Sequence, residues 1–208
     1  MTNRTLWLGA AALVGFAATT ASGQIANSRH NFASYSWSGG EICKPCHTPH
    51  FANVEVGFLW NHALTTATYV MFEGEEGTAV ADIDSRSRMC MSCHDGTVAL
   101  DSFGGTTGDD FIGPSGLIGT DLQNDHPIGR DAIYPTTAST SYNPQDANHR
   151  VNWNGHSLRL RQWFDETGTE RYVVGCSTCH TVHNTGNFDH MLRYSNAGSE
   201  LCLTCHIK

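Results

Sequence analysis

Four copies of one five-residue pattern, Cys-x-x-Cys-His, stand out in the 208-residue sequence. They lie at 43–47, 90–94, 176–180 and 202–206. Together they use every cysteine of the chain: Cys43, Cys46, Cys90, Cys93, Cys176, Cys179, Cys202 and Cys205. This pattern is the attachment signature of c-type haem. The sequence therefore predicts four covalently attached haem c groups, each with one iron.

The spacing within each copy has a physical reason. On a helical turn, positions i, i+3 and i+4 project from one face. The two sulfurs can then reach the two vinyl groups of one macrocycle, and the histidine lies under the iron as its proximal ligand. The predicted proximal ligands are His47, His94, His180 and His206.

Zinc sites and disulfide bonds are the alternatives to haem attachment. Paired Cys-x-x-Cys units occur in zinc sites, and eight cysteines in an exported chain are enough for four disulfides. Neither alternative explains a histidine directly after every second cysteine. We therefore favour haem.

The chain has 12 histidines, so eight remain once the four proximal ligands are assigned. This surplus favours bis-histidine ligation at all four irons. Methionine is the competing sixth ligand and raises the redox potential. The available methionines are Met71, Met89, Met91 and Met191.

Which histidines are the distal ligands is left open by the sequence. The candidates are His30, His50, His62, His126 and His183. His50 and His183 lie one turn past a proximal ligand, so each points away from its own haem and can reach a neighbouring one. His126 is held extended because Pro127 follows it. The other three, His149, His156 and His190, are assigned to hydrogen bonding with solvent or haem propionates.

Residues 1–23 have the features of a secretory signal peptide: Arg4, an apolar stretch over 6–18 and a small-residue exit at 21–23. The remainder, 24–208, is expected to be one tetrahaem cytochrome domain. Removing the signal takes away Arg4 and no acidic residue, so the net charge changes from −8 to −9. A basic surface for nucleic acid is absent from this composition. No later segment is long and apolar enough to be expected to span a membrane.

The fold is predicted to be mostly coil, because 39% hydrophobic residues and 21 glycines do not make a large side-chain core. Short helices are expected around the Cys-x-x-Cys-His turns, with one or two small β-hairpins and the haems forming the core. One hairpin is predicted over 158–174 and a short helix within 51–68. The aromatic segment 24–40 is expected to pack, most simply against the first haem.

Several longer motifs resemble those of a known family. They lie at 28–32, 41–50, 59–62, 91–97, 124–127 and 195–206, so they are distributed over most of the chain after the signal. In this order they resemble the OmcE-type tetrahaem cytochromes, which polymerise into extracellular nanowires. The resemblance implies bis-histidine subunits with sparse secondary structure, stacked head to tail. It also implies that His50 ligates a haem of the adjacent subunit.

Three functions follow as hypotheses. The first is electron transfer along an extracellular filament of identical subunits, with redox proteins or extracellular acceptors as further partners. The second is a monomeric periplasmic electron shuttle. The third is a multihaem reductase with one open haem. It is the least favoured because six-coordinate iron has no open position for a substrate. The expected protein is therefore not an enzyme.

Overall fold

A computed structural model describes residues 24–72, 82–137 and 139–208. The predicted signal peptide at 1–23 lies outside these residues. In the described chain, three α-helices, four short strands and several 3-10 turns are joined by long irregular segments. This confirms the prediction of a mostly coil fold of the kind expected for a small multihaem cytochrome c.

All three α-helices belong to Cys-x-x-Cys-His copies. They are α1 (Ser85–His94), α2 (Cys176–Cys179) and α3 (Glu200–Leu203). Asp84 starts α1 because its carboxylate accepts hydrogen bonds from the Arg86 and Ser87 amides. Gly96, with φ of +77°, follows the helix in the left-handed conformation that glycine adopts without strain.

The first copy forms a single turn rather than a helix. Its His47 amide donates to the Cys43 carbonyl at 2.9 Å. The same bond recurs in the third copy, from His180 to Cys176, and in the fourth, at 3.0 and 2.9 Å. Each copy therefore contains the helical turn that its spacing predicts.

The four strands form two antiparallel hairpins. They are β1 (Arg150–Trp153), β2 (His156–Arg159), β3 (Arg161–Phe164) and β4 (Glu170–Val173), and β1 pairs with β2 and β3 with β4. The predicted hairpin at 158–174 is confirmed for β3 and β4, but residues 158 and 159 belong to the preceding hairpin. That hairpin turns at Asn154 and Gly155, both with positive φ, as a two-residue Asn-Gly turn requires.

Two small apolar clusters lie among the buried side chains of the described residues. The first contains Tyr69, Met71, Ile83, Met91 and Leu122, and the second contains Tyr134, Val151 and Leu160. Met71 and Met91 are almost completely buried here, so both act as core residues. The short helix predicted within 51–68 is wrong: this segment consists of turns, extended chain and isolated bridges at residues such as Trp60. None of the helices in the described ranges has the length and apolar character needed to cross a membrane.

Candidate haem-binding sites

Three histidines of the Cys-x-x-Cys-His copies each face one of the remaining histidines. The ring centroids of His47 and His183 are 6.2 Å apart. Those of His94 and His30 are 6.1 Å apart, and those of His206 and His126 are 6.3 Å apart. Each pair therefore joins a predicted proximal histidine to a predicted distal histidine that is distant from it in the sequence.

These separations fit an iron held between two imidazoles. A first-row transition metal binds an imidazole nitrogen at about 2 Å, so two rings that share one metal have centroids about 6 Å apart. The donor set is therefore compatible with the haem groups that the sequence predicts.

Three of the four predicted proximal histidines are also held in the tautomer that ligation needs. The Nδ1 atoms of His47, His94 and His180 lie 2.8, 2.6 and 2.9 Å from backbone carbonyl oxygens of Phe58, Gly116 and His190. A carbonyl only accepts, so each Nδ1 carries the proton and each Nε2 is left for a metal. This arrangement is typical of metal-binding histidines.

Two of the facing histidines, His30 and His126, are oriented in a similar way. His126 Nδ1 lies 2.9 Å from the carbonyl oxygen of Pro127, and the His30 ring bonds to the carbonyl of Val182. Burial, with a smaller effect of His94, lowers the pKa of His30 to about 4. His30 is therefore a neutral imidazole at physiological pH, the form that binds metal.

The third copy differs from the other three. No histidine ring of the described chain faces His180 in the way that His183 faces His47. His180 is exposed, and so is the remaining candidate His50. Within this one chain, therefore, His180 and His50 are both left without a facing imidazole.

The fifth distal candidate, His62, lies in the protein interior. Its Nδ1 is 2.7 Å from the Ala63 carbonyl and its Nε2 is 2.9 Å from the Ala99 carbonyl. Both nitrogens face hydrogen-bond acceptors, so this geometry is that of a buried polar residue rather than an iron ligand. We leave His62 out of the ligand set proposed below.

The three histidines that the sequence assigned to hydrogen bonding have other neighbours. His149 stacks on Tyr172 and His156 stacks on Tyr194. His190 has a left-handed backbone with φ of +55°, and its carbonyl oxygen orients His180.

Consecutive copies lie side by side. The Cys46 thiol adds to the effect of burial in raising the pKa of Cys93 to about 12. Cys90 and Cys176 lie close enough to shift each other's pKa, that of Cys90 upwards and that of Cys176 downwards. Burial raises the pKa of Cys179 to about 12, and the Cys205 thiol is the next cause. The first copy therefore adjoins the second, the second the third, and the third the fourth.

One direct link joins the second and third copies. Ser87 of α1 accepts a hydrogen bond from the Cys176 amide at 3.0 Å and donates to the Asp84 carboxylate. Neither serine nor aspartate belongs to a Cys-x-x-Cys-His copy. Sequence reasoning missed them, and only the helix-start pattern Asp-Ser-Arg-Ser was available to indicate them.

A large open cavity adjoins the first copy. It has a volume of about 780 Å³ and is lined by His47, Lys44, Trp37 and Phe103 among others. Ligand sites usually fall in the range of about 300–1,000 Å³. Trp37 belongs to the aromatic N-terminal segment, so this segment does lie beside the first copy, while its His30 faces the second.

No disulfide joins any two of the eight cysteines. In the described ranges, no group of three or more His, Cys, Asp or Glu side chains is arranged to hold a metal ion.

Comparison with protein families gives one match: residues 171–208 match the model of the doubled CXXCH motif. This region contains the third and fourth copies. No curated protein and no solved structure matches the chain significantly. The doubled motif indicates covalently bound haem c and a multihaem c-type cytochrome, a class of electron-transfer protein.

Proposed function

We propose that this chain binds four haem c groups and carries electrons along them without acting on a substrate. The haem supplies one-electron redox chemistry when bound. The observation that carries the proposal is the set of three facing histidine pairs, each joining a Cys-x-x-Cys-His histidine to a distant one. A pair of imidazoles leaves an iron no open position, so these residues hold and tune the metal rather than expose it to a substrate.

The order of the sites supports a continuous path. The thiols of neighbouring copies shift one another's pKa in the order first, second, third and fourth copy, and Ser87 beside the second copy bonds to the Cys176 amide of the third. The path would therefore run from the first copy near the N-terminal segment to the fourth near Lys208.

We further propose that His50 of one subunit ligates the iron held by His180 of another. Each is exposed and has no facing histidine in the described chain. Large apolar side chains next to His50 are also exposed: Phe51 by 103%, Val54 by 91% and Leu59 by 56%. An exposed apolar patch indicates a surface that a partner covers.

A contact between two different surfaces of identical subunits does not close on itself. It continues from subunit to subunit and generates a filament when the rotation does not form a ring. The proposal therefore includes head-to-tail polymerisation outside the cell. It also means that, in a monomer, the iron at the third copy lacks its second histidine ligand.

Haem stoichiometry and spin state test the electron-transfer proposal. Pyridine haemochrome analysis of the exported protein is expected to give four haems per chain. Electron paramagnetic resonance of the polymer is expected to show only low-spin ferric iron. A stoichiometric high-spin signal that binds nitrite or cyanide in the polymer would instead support an enzyme with an open haem.

The variant His50→Ala tests the subunit contact, with His149→Ala as the control because His149 stacks on Tyr172 and faces no Cys-x-x-Cys-His histidine. His50→Ala is expected to keep four haems, lose filaments in negative-stain micrographs and show one high-spin iron in four. His149→Ala is expected to keep filaments. Normal filaments from His50→Ala would contradict the inter-subunit ligation, and a wild-type monomer with four low-spin irons would support the periplasmic shuttle.

A further inference from the structure

Five arginines gather around one cavity in this acidic protein. The cavity has a volume of about 240 Å³ and is lined by Arg86, Arg150, Ser157, Arg159, Arg161 and Arg193. The chain has only 12 lysines and arginines against 20 acidic residues. Such a concentration of one charge needs a physical explanation.

The two hairpins bring three of these arginines together although their positive charges repel. Arg150 of β1 and Arg159 of β2 are direct cross-strand partners. Like charges directly opposite each other on a sheet repel and destabilise the pair. Arg161 begins β3, only two positions after Arg159. The hairpin register therefore places like charges together instead of separating them.

The protein itself supplies few acceptors for these arginines. Arg161 and Arg193 both donate to the backbone carbonyl of Ser177, and Arg150 donates to Ser157 Oγ at 2.8 Å. Arg86 lies over the ring of Phe58 at 4.3 Å. In the ranges that the structure covers, no carboxylate lies within ion-pair distance of any of the five.

Arg161 shows most clearly that these arginines have too few hydrogen-bond acceptors. Its side chain is buried, with 6% of the residue exposed, and its Nε has no hydrogen-bond partner. Burial lowers the pKa of Arg161 to about 10, and Arg86 and Arg193 are the next causes. The guanidinium is still charged at neutral pH, so a buried cation with a free donor faces the cavity.

We propose that the five arginines form a binding site for carboxylate or similar oxyanion groups, and that the propionates of a bound haem occupy it. Arginine forks match the geometry of carboxylates and phosphates in two-point hydrogen bonds. Because it involves the propionates of a bound haem, this inference rests on the proposed function. A free oxyanion such as phosphate has the same chemistry and is the second source of the ligand.

The position of the cavity favours the propionates. Ser177, whose carbonyl binds Arg161 and Arg193, lies inside the third Cys-x-x-Cys-His copy. Arg86 lies in α1 one turn before Cys90 of the second copy, and its carbonyl accepts from the Cys90 thiol at 3.3 Å. The arginines therefore lie between two haem attachment sites.

The test compares Arg159→Gln and Arg193→Gln with the control Arg171→Gln. Arg171 lies on β4, pairs with Asp165 at 3.0 Å and does not line the cavity. Midpoint potentials are measured spectroelectrochemically in the holoprotein, with and without phosphate at constant ionic strength. Propionate binding predicts that both cluster variants lower the potential of at least one haem, because the loss of a cation disfavours the reduced state. Arg171→Gln is expected to leave all potentials unchanged.

The two sources of the ligand give different results. With propionates in the site, phosphate leaves the wild-type potentials and melting temperature unchanged. With a free oxyanion in the site, phosphate raises the wild-type melting temperature, and both cluster variants lose this response. If neither the potentials nor the phosphate response distinguishes the cluster variants from Arg171→Gln, the anion site is refuted.

Two measurements show whether a variant is misfolded or lacks haem. Either result is thereby distinguished from a failure of the arginine-site inference. Haem content and circular dichroism show whether each variant is intact, and Arg159→Lys keeps the charge while removing the fork. Its expected potential lies between those of the wild type and Arg159→Gln. A purified chain without haem would refute the proposed function, while its melting temperature with and without phosphate would still test the arginine site.

Discussion

The imidazole rings of His47 and His183 face each other with 6.2 Å between their centroids. His47 belongs to the first Cys-x-x-Cys-His copy, and His183 follows the third. The same separation recurs in two other pairs. The chain is thus arranged around facing histidines, and the apolar core is correspondingly small.

The variant His183→Ala is expected to open one iron of the four. Removal of this ring leaves the metal beside His47 with a single protein ligand, so that haem becomes high-spin and binds carbon monoxide or cyanide. Electron paramagnetic resonance and ligand titration of the intact polymer are expected to give one such site per chain.

His62→Ala is the comparison for that experiment. Both nitrogens of His62 lie within 3 Å of backbone carbonyl oxygens in the interior, at 2.7 and 2.9 Å, so this variant is expected to be less stable while all four irons remain low-spin. The assignment of His183 fails if its variant keeps four low-spin irons, and that of His62 fails if its own variant opens one.

Gly175 precedes the third copy in a tightly packed position. A Cβ at Gly175 would lie 2.2 Å from Asp84 Oδ2 and 2.8 Å from Ser87 Oγ. Gly175→Ala is therefore expected to displace the link between α1 and the third copy and to destabilise the fold by about 1–3 kcal/mol, as overpacking does. Chemical denaturation followed by circular dichroism measures this loss. Gly113→Ala is the control because a Cβ there meets nothing within 4 Å, and equal losses for the two variants would contradict the explanation.

Leu160 tests the second apolar cluster. It is 2% exposed and packs with Tyr134 and Val151. Leu160→Ala is expected to lower the free energy of unfolding by about 2–5 kcal/mol, because it removes buried methyl groups and leaves a cavity. Leu117, 48% exposed, provides the control: Leu117→Ala is expected to change stability by less than about 0.5 kcal/mol. A Leu160→Ala effect as small as the control would mean that the protein core contributes little beside the haems.

The turn of the second hairpin is expected to respond to acid. Asp165 accepts hydrogen bonds from Thr167 and Thr169 and from Arg171, and these bonds lower its pKa from 3.8 to about 2, with the Thr167 hydroxyl as the largest cause. Because the folded-state pKa lies below the unfolded value, the stabilisation is present above pH 3.8 and is lost as the pH falls through about 2.

Amide chemical shifts of Thr167 and Thr169, followed by NMR over this range, are expected to report a transition near pH 2. Asp165→Asn has no carboxyl to titrate and is expected to remove the transition. A transition midpoint near pH 3.8 in the wild type would show that the turn does not stabilise the ionised carboxylate of Asp165.

The sequence was sufficient for the local features of the candidate sites. The i, i+3, i+4 spacing predicts the helical turns that the His47 and His206 amide bonds display. The second hairpin follows from its turn residues around Gly168, and the Asn154-Gly155 dipeptide is an equally strong sequence signal for the first hairpin.

Long-range contacts could not be predicted from the sequence, for physical reasons. Whether His30 or His62 faces an iron depends on which distant carbonyls surround each ring, and no local spacing encodes those contacts. The helix predicted within 51–68 failed because this segment is fixed by bridges such as that between His62 and Phe103 rather than by its own periodicity. The arginine cavity depends on hairpin register, which places Arg150 opposite Arg159.

The short stretch 180–183 has a consequence for how the protein matures. It contains His180 of the third copy, the Val182 carbonyl that orients His30, and His183 that faces His47. Under the proposed function, a chain exported with its N-terminus first would place His47 outside the membrane well before His183 arrives. A haem attached at the first copy would then lack its second imidazole until the last quarter of the chain follows, whereas His30 already precedes its partner His94.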